Sequence, residues 1–288
     1  MTQANSKAAD TALTPEGVEV LPDAPTLAAS SIDFEALSAS LTGLEGKLDK
    51  NPKTAAIIMA GGSGERFGRE GGKQLVEIAG KPMLTWSAES FDAVGDVGLI
   101  IVVCPEERHE EYLKHAIDPF PFVTPIVMAP AGPTRQESAF SGLEFVPDEF
   151  EYVAMHDGAR PLVTPEAIAH TINVVKGNPD CDGAIVAMRA VDTLKVVEDG
   201  VIAGTPDRNV FWQAQTPQVF RTGIIRRAHA AALSDGFVGT DDSSLIERLG
   251  GRVLVVQGSR DNFKLTNPDD YPMLLAAVQK LYGKRAGR

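Results

Sequence analysis

From Lys53 onward the apolar residues of this chain switch repeatedly between two periods. Short runs rich in β-branched residues, at Ala55 to Ala60, Gly98 to Cys104, Pro125 to Met128, Tyr152 to His156, Gly183 to Ala187 and Arg252 to Gln257, predict strands. Helical spacing between them predicts helices near Pro82 to Ala93, Glu106 to Ala116, Thr134 to Phe145, Pro165 to Lys176, Thr222 to Ser234 and Asp242 to Leu249, and a last one from Pro268 to about Tyr282. Strand and helix in alternation predict an α/β fold, a mostly parallel sheet with helices on both faces. Sheets of this kind hold ligands at the carboxyl ends of their strands.

Two segments depart from the rhythm. Val191 to Val197, the turn Glu198-Asp199-Gly200, and Val201 to Gly204 predict a protruding β-hairpin at about residues 189–212. It has no core of its own, so it reads as an arm for a second subunit or as a surface flap. Residues 1–51 form an N-terminal extension with eight acidic and three basic side chains. Its first 30 residues have too little apolar area to offset chain entropy and are expected to be mobile. Phe34, Leu37, Leu41, Leu44 and Leu48 then line one face of an expected helix at 33–49, suited to packing on its own domain or on a partner. Residues 52–288 form the second unit.

Charge narrows the function. The 288 residues carry 27 Lys and Arg against 39 Asp and Glu, a net −12, which argues against nucleic acid as the main partner. No apolar run approaches the ~18 to 20 residues of a membrane span. Two cysteines, Cys104 and Cys181, make no disulfide framework and read as buried thiols. There is no signal-peptide pattern, and the extension is too acidic for a transit peptide. A cytoplasmic setting is expected.

The first strand runs into Met59-Ala60-Gly61-Gly62-Ser63-Gly64-Glu65-Arg66-Phe67-Gly68. Glycines here allow backbone N–H groups close to an anion. A dinucleotide-binding loop started at Gly62 would need glycine where Phe67 stands, and a Walker loop would need glycine there and Ser or Thr in place of Gln74. Arg66 and Lys73 on such a loop suit a triphosphate, whose transfer builds charge on the α-phosphate and the departing pyrophosphate. A structural basic loop is the alternative.

Ala60-Gly61-Gly62-Ser63-Gly64-Glu65-Arg66 with Lys73-Gln74 resembles the opening of the nucleotidyltransferases. In order along the chain follow His156-Asp157-Gly158-Ala159-Arg160-Pro161, Val191-Asp192-Thr193-Leu194-Lys195, Gln215-Thr216-Pro217-Gln218, Thr240-Asp241-Asp242 and Asp261-Asn262-Phe263-Lys264-Leu265-Thr266. Over about residues 53 to 283 this series resembles the 2-C-methyl-D-erythritol 4-phosphate cytidylyltransferases of non-mevalonate isoprenoid synthesis. The resemblance implies a Rossmann-like nucleotidyltransferase fold and a homodimer joined through the hairpin. It also implies a Mg²⁺-dependent reaction in which the phosphate of methylerythritol phosphate attacks the α-phosphorus of CTP. It assigns Arg66 and Lys73 to the pentacoordinate phosphate. Ala60, Gly61, Gly62 and Gly64 would hold the nucleotide with Asp157 and Gly158. Gly132, Arg135 and Ser138 would lie on the cytosine side. Arg160, Thr193, Lys195 and Thr216 would contact the second substrate, and Arg208 and Lys264 would position its phosphate during catalysis. Asp157 and Asp261 would lie near the metal, Asp261 also by the second substrate and Lys264 also by the nucleotide.

Read without the resemblance, Asp157 serves equally as a turn cap, and Arg135 as a helix cap or a tie to a neighbouring loop. His156 reads as packing, since an ionised phosphate needs no base. Two departures stand out: Pro133, where the family often has an acid, and Gly71-Gly72 before Lys73, where it usually has proline. Without that proline, residues 63 to 73 are expected to order more on binding CTP. The chain ends about where the transferase should, so a fused second enzyme is not expected. Rival readings are a ribitol 5-phosphate cytidylyltransferase, a non-catalytic nucleotide-binding protein and, weakest, a dehydrogenase.

Overall fold

The structure, a computed structural model, describes residues 51–62 and 73–282. The expected helix at 33–49 and the loop residues Gly64 and Arg66 lie outside them. In chain order the strands are β1 (Thr54–Met59), the short pair β2 (Glu77–Ile78) and β3 (Lys81–Pro82), β4 (Val97–Cys104), β5 (Ile126–Pro130), β6 (Tyr152–Asp157) and β7 (Gly183–Arg189). A second pair follows, β8 (Val196–Glu198) and β9 (Val201–Gly204), then β10 (Trp212–Arg221) and β11 (Val253–Gln257). Seven of them make one sheet in the order β11-β7-β10-β6-β1-β4-β5. Every pairing in it is parallel except the two made by β10.

The central strands are apolar on both faces because both faces are covered. Ala56, Ile58, Ile100 and Val102 point to one core, which also holds Leu84 and Phe91 of α1 (Met83–Asp92), Tyr112 of α2 (His109–Tyr112) and Ile168 and Ile172 of α4 (Pro165–Gly177). Ala55, Ile57, Ile101 and Val103 point to the other. That core takes Leu143 of α3 (Arg135–Glu144), Ile225 and Ala228 of α5 (Thr222–Ser234) and Leu245 and Ile246 of α6 (Asp242–Arg248). A third cluster packs α7 (Tyr271–Tyr282) through Leu274 against Ile78, Leu162 and Leu265. Among the described residues no helix is long and apolar enough to cross a membrane.

Two expectations need correction. The helix expected at Glu106 to Ala116 changes its hydrogen bonding along its length, from a 3₁₀ turn at Glu106–Arg108 through α2 to a π turn at Leu113–Ile117. The wider last turn sets Ala116 and Ile117 side by side in the core. The larger miss is β10, an antiparallel strand in the middle of the sheet. Its polar Gln215-Thr216-Pro217-Gln218 run hides a strand, and the ladder itself breaks there. Ala214 faces Ala187 and Gln218 faces Ile185, so residues 215–217 bulge opposite a single residue of β7.

The hairpin is present but shorter than expected. Its first strand begins at Val196, and its turn carries positive φ at both Asp199 (47°) and Gly200 (80°), the signature of a tight two-residue turn. Val197, Val201 and Ile202 are 56%, 69% and 60% exposed.

Candidate active site

The strand ends converge on Asp157. It closes β6, the central strand beside β1, and its side chain is 12% exposed. Lys264 Nζ donates to Oδ2 at 3.0 Å, Arg160 Nε lies 3.7 Å from the same oxygen, and Arg135 Nε lies 3.5 Å from Oδ1. Burial alone would raise the pKa of Asp157, but Lys264, Arg135 and Arg160 outweigh it and hold the carboxyl well below its ordinary range. The cations answer in kind. Burial pulls the Arg160 guanidinium down against the pull of Asp157, whereas Asp242 and Asp157 overcome the burial of Arg135 and push its pKa up.

Each member is carried by a fixed element. The backbone N–H of Asp157 donates to Thr216 Oγ1 (3.1 Å), which lies 2.9 Å from His156 Nδ1. His156 Nε2 is 3.2 Å from the carbonyl oxygen of Arg160. The hydroxyl donating to Nδ1 and Nε2–H donating to the carbonyl give one self-consistent neutral tautomer. Burial lowers the imidazole pKa from 6.5 to about 4, so His156 is a neutral brace rather than a base. Arg160 donates to the Asn262 carbonyl oxygen (2.8 Å), and Asn262 Nδ2 donates to the Thr216 carbonyl oxygen (2.8 Å), which clasps the bulge of β10 to the segment bearing Lys264.

The glycine positions fit close approach. A Cβ on Gly61 would stand 2.6 Å from that of Ala131, so the end of β1 touches the turn after β5. Gly158 N–H donates to the Met59 carbonyl oxygen (3.0 Å), and Gly132 N–H donates to Ser138 Oγ (3.0 Å). Ala60, Gly61, Gly132, Ser138, Asp157 and Gly158 therefore share one sheet edge, with Gly62 next along the chain. Lys73 Nζ donates to the Leu265 carbonyl oxygen (2.6 Å), one residue past Lys264.

Other expected site residues have contacts of their own. Lys195 donates to Thr205 Oγ1 (2.8 Å) and Arg208 to the Val191 carbonyl oxygen (2.8 Å), so both, with Thr193, belong to the arm. Asp261 pairs with Lys280 Nζ at 2.7 Å. Arg135 caps no helix: Thr134 caps α3, in a box with Glu137, while Arg135 spans Asp157 and Asp242. Asp242, Asn262 and Gln215 carry much of this scaffold although their motifs alone assign them no task.

A magnesium ion in such enzymes takes oxygen ligands and keeps several waters, with one or two carboxylates plus substrate phosphates completing the shell. Asp157 can supply one such oxygen at the strand edge. Among the described residues no group of three or more His, Cys, Asp or Glu forms a protein-only cage. A single carboxylate of this kind, together with substrate oxygens and water, fits the donor set such an ion takes.

Cys104 and Cys181 are buried free thiols, and burial pushes Cys104 up to about 12.

The 2-C-methyl-D-erythritol 4-phosphate cytidylyltransferase family model matches residues 54–280. The chain is 42% identical over 215 residues to the enzyme of that name from Syntrophotalea carbinolica, covering 74% of this chain and 91% of the relative. It is 41% identical over 214 residues to the Bacillus licheniformis enzyme, covering 74% and 90%. The crystal structure of the Anaerococcus prevotii 4-diphosphocytidyl-2C-methyl-D-erythritol synthase superposes with a TM-score of 0.69 at 29% identity, covering 82% of this chain and 98% of that one. Sequence and architecture agree, and the chain belongs to the 2-C-methyl-D-erythritol 4-phosphate cytidylyltransferase family.

Proposed function

We propose that this protein transfers CMP from CTP to 2-C-methyl-D-erythritol 4-phosphate, giving 4-diphosphocytidyl-2-C-methyl-D-erythritol and pyrophosphate for isoprenoid precursor synthesis. Beyond family membership, the observation that carries this reading is Asp157, ringed by Lys264, Arg160 and Arg135 beside the glycine turn at the end of β1. Two anionic reactants must meet there, so the work is positioning and charge neutralisation, and no covalent enzyme intermediate is needed.

Ala60, Gly61, Gly62, Gly132 and Ser138 hold the nucleotide at the sheet edge, with Gly64 of the loop. Lys73 and Arg66 take the charge that grows on the α-phosphate. Lys264, 42% exposed at its side chain, trades its contact with Asp157 for substrate phosphate. Arg160 and Thr216 meet the second substrate. Asp157 and Asp261 would help hold Mg²⁺, which would supply neutralisation of phosphate charge, with Lys280 giving up its contact to Asp261.

The arm supplies Thr193, Lys195 and Arg208 to the partner's site. Its uncovered Val197, Val201 and Ile202 support a homodimer formed through this hairpin. The net charge and the absence of a spanning helix among the described residues support a cytoplasmic enzyme without a nucleic-acid partner. Residues 1–51 are an extension dispensable for catalysis, so deleting residues 1–50 leaves activity in place; its loss in a folded truncate would refute this.

Pyrophosphate release with CTP and Mg²⁺ tests the reaction. Release is expected with methylerythritol phosphate and not with ribitol 5-phosphate, and to vanish in Lys73→Ala. Release with the pentitol alone would move the enzyme to the other branch, and CTP binding without turnover would leave a nucleotide-binding protein.

A further inference from the structure

Among the described residues, Arg135 is the cation of the Asp157 cluster that also meets a second carboxylate. Its Nη2 donates to Asp242 Oδ2 at 2.7 Å, while its Nε faces Asp157 Oδ1 at 3.5 Å. The Asp242 side chain is 1% exposed, and its other oxygen lies 3.3 Å from Nε2 of His229, equally buried. Its place is set by the sheet. Asp241, the N-cap of α6, accepts from Gln218 Nε2 (2.7 Å), and Gln218 Oε1 accepts from Ser243 N–H (3.2 Å). Gln218 lies on β10, paired with Met155 of β6, two residues before Asp157.

A buried carboxylate left without its cation is costly, so Arg135 cannot leave Asp242 to follow an incoming phosphate. Lys264, which meets no second carboxylate among the described residues, can. Of the three cations around Asp157, Arg135 is tied from behind to a carboxylate, Arg160 is held by the Asn262 carbonyl oxygen, and Lys264 exchanges.

We infer that Asp242 is a positioning residue for this reaction: it fixes the Arg135 guanidinium, which holds the Asp157 carboxylate by Oδ1 and leaves Oδ2 to Lys264 and Arg160. Asp242 touches no substrate. The inference rests on the reaction proposed above.

A double-mutant cycle on the full chain tests it, with Asp242→Asn, Arg135→Gln and the pair. Steady-state kcat/KM for CTP and calorimetric binding of CTP with Mg²⁺ are measured well below each variant's melting temperature. Asp242→Asn is expected to lower kcat/KM about tenfold, and to cost nothing further once Arg135 is Gln, because residues acting as a unit are not additive. Losses that multiply, or an Asp242→Asn enzyme with wild-type kcat/KM, would overturn it. A merely structural Asp242 would couple to Arg135 in melting temperature but not in kcat/KM. Where Asp242→Asn does not fold, Asp242→Glu takes its place, with a smaller loss that disappears in the Arg135→Gln background. A wild-type chain inactive with CTP and methylerythritol phosphate would fail the reaction, whereas an active wild type with additive losses would fail this inference alone.

Discussion

Asp157 and Lys195 are both charged residues expected in the site, and they are held in opposite ways. Asp157 ends a strand buried on both faces and is met by three cations from three separate segments, residues 135, 160 and 264. Lys195 sits on an arm and donates to Thr205 ten residues on, beside valines that stay exposed among the described residues. The strand edge is preorganised within one chain, whereas the arm has geometry without support. Transition-state stabilisation depends on groups that need not move during reaction, so it belongs at the strand edge. In the proposed dimer, a second copy of the chain would fix the arm and bring its residues to bear.

The largest expected effect breaks the strand-edge side of this contrast. Lys264→Ala removes the 3.0 Å contact to Asp157 and the cation that passes to the substrate phosphate, and kcat should fall by about 10²-fold to 10³-fold, the size of losing one donor to a developing charge. Steady-state kinetics showing less than a tenfold loss would place the chemistry elsewhere. Next comes the arm. Ile202→Asp puts a charge on the uncovered face and should weaken dimerisation by about 30-fold or more, the cost of a spoiled contact of about 2 kcal/mol. Sedimentation would then show monomers with a nearly unchanged melting temperature, and an unaltered assembly would remove the arm from the interface.

A pH series sharpens the same contrast. His156 titrates near 4 when folded against 6.5 when free, so between those values the unfolded chain binds the extra proton. Its contribution to stability is present above about pH 6.5 and is lost as the pH falls towards 4. His156→Gln should flatten that part of the melting-temperature profile, and an unchanged slope would mean that His156 is not held neutral. The smallest effect is expected from Gln136→Ala. Gln136 clamps the Phe237 carbonyl oxygen (2.9 Å) and Gly239 N–H (2.8 Å), and its loss should cost about 1 kcal/mol in denaturant unfolding. Activity should stay within about twofold, since both hydrogen bonds serve the folded loop and neither reaches the reacting atoms. A larger kinetic loss would extend the positioning scaffold to the loop before α6.

How much of this was legible in the sequence depended on where the stabilising partner lay. β1 and β4 were plain because their burial on both faces demands apolar residues at every position. β10 was hidden because its Gln215, Thr216 and Gln218 serve the site, and Pro217 can give no ladder hydrogen bond. Asp157 could be placed at a strand end from its neighbours alone. Its partners could not, since Lys264 and the Arg135–Asp242 contact each span 107 positions. The turn of the arm was readable from Asp199-Gly200, yet the start of its first strand was not, because the residues before Val196 have no partner strand to order them.

The most direct test of the central claim follows the oxygen atoms. Methylerythritol phosphate carrying heavy oxygen in its phosphate is incubated with CTP, Mg²⁺ and the enzyme, and the products are read by phosphorus NMR and mass spectrometry. Attack by the substrate phosphate on the α-phosphorus predicts labelled diphosphate product, with label in the bridge, and unlabelled pyrophosphate in equal amount. Label in the released pyrophosphate, or CTP consumed to CMP without a diphosphate product, would contradict it.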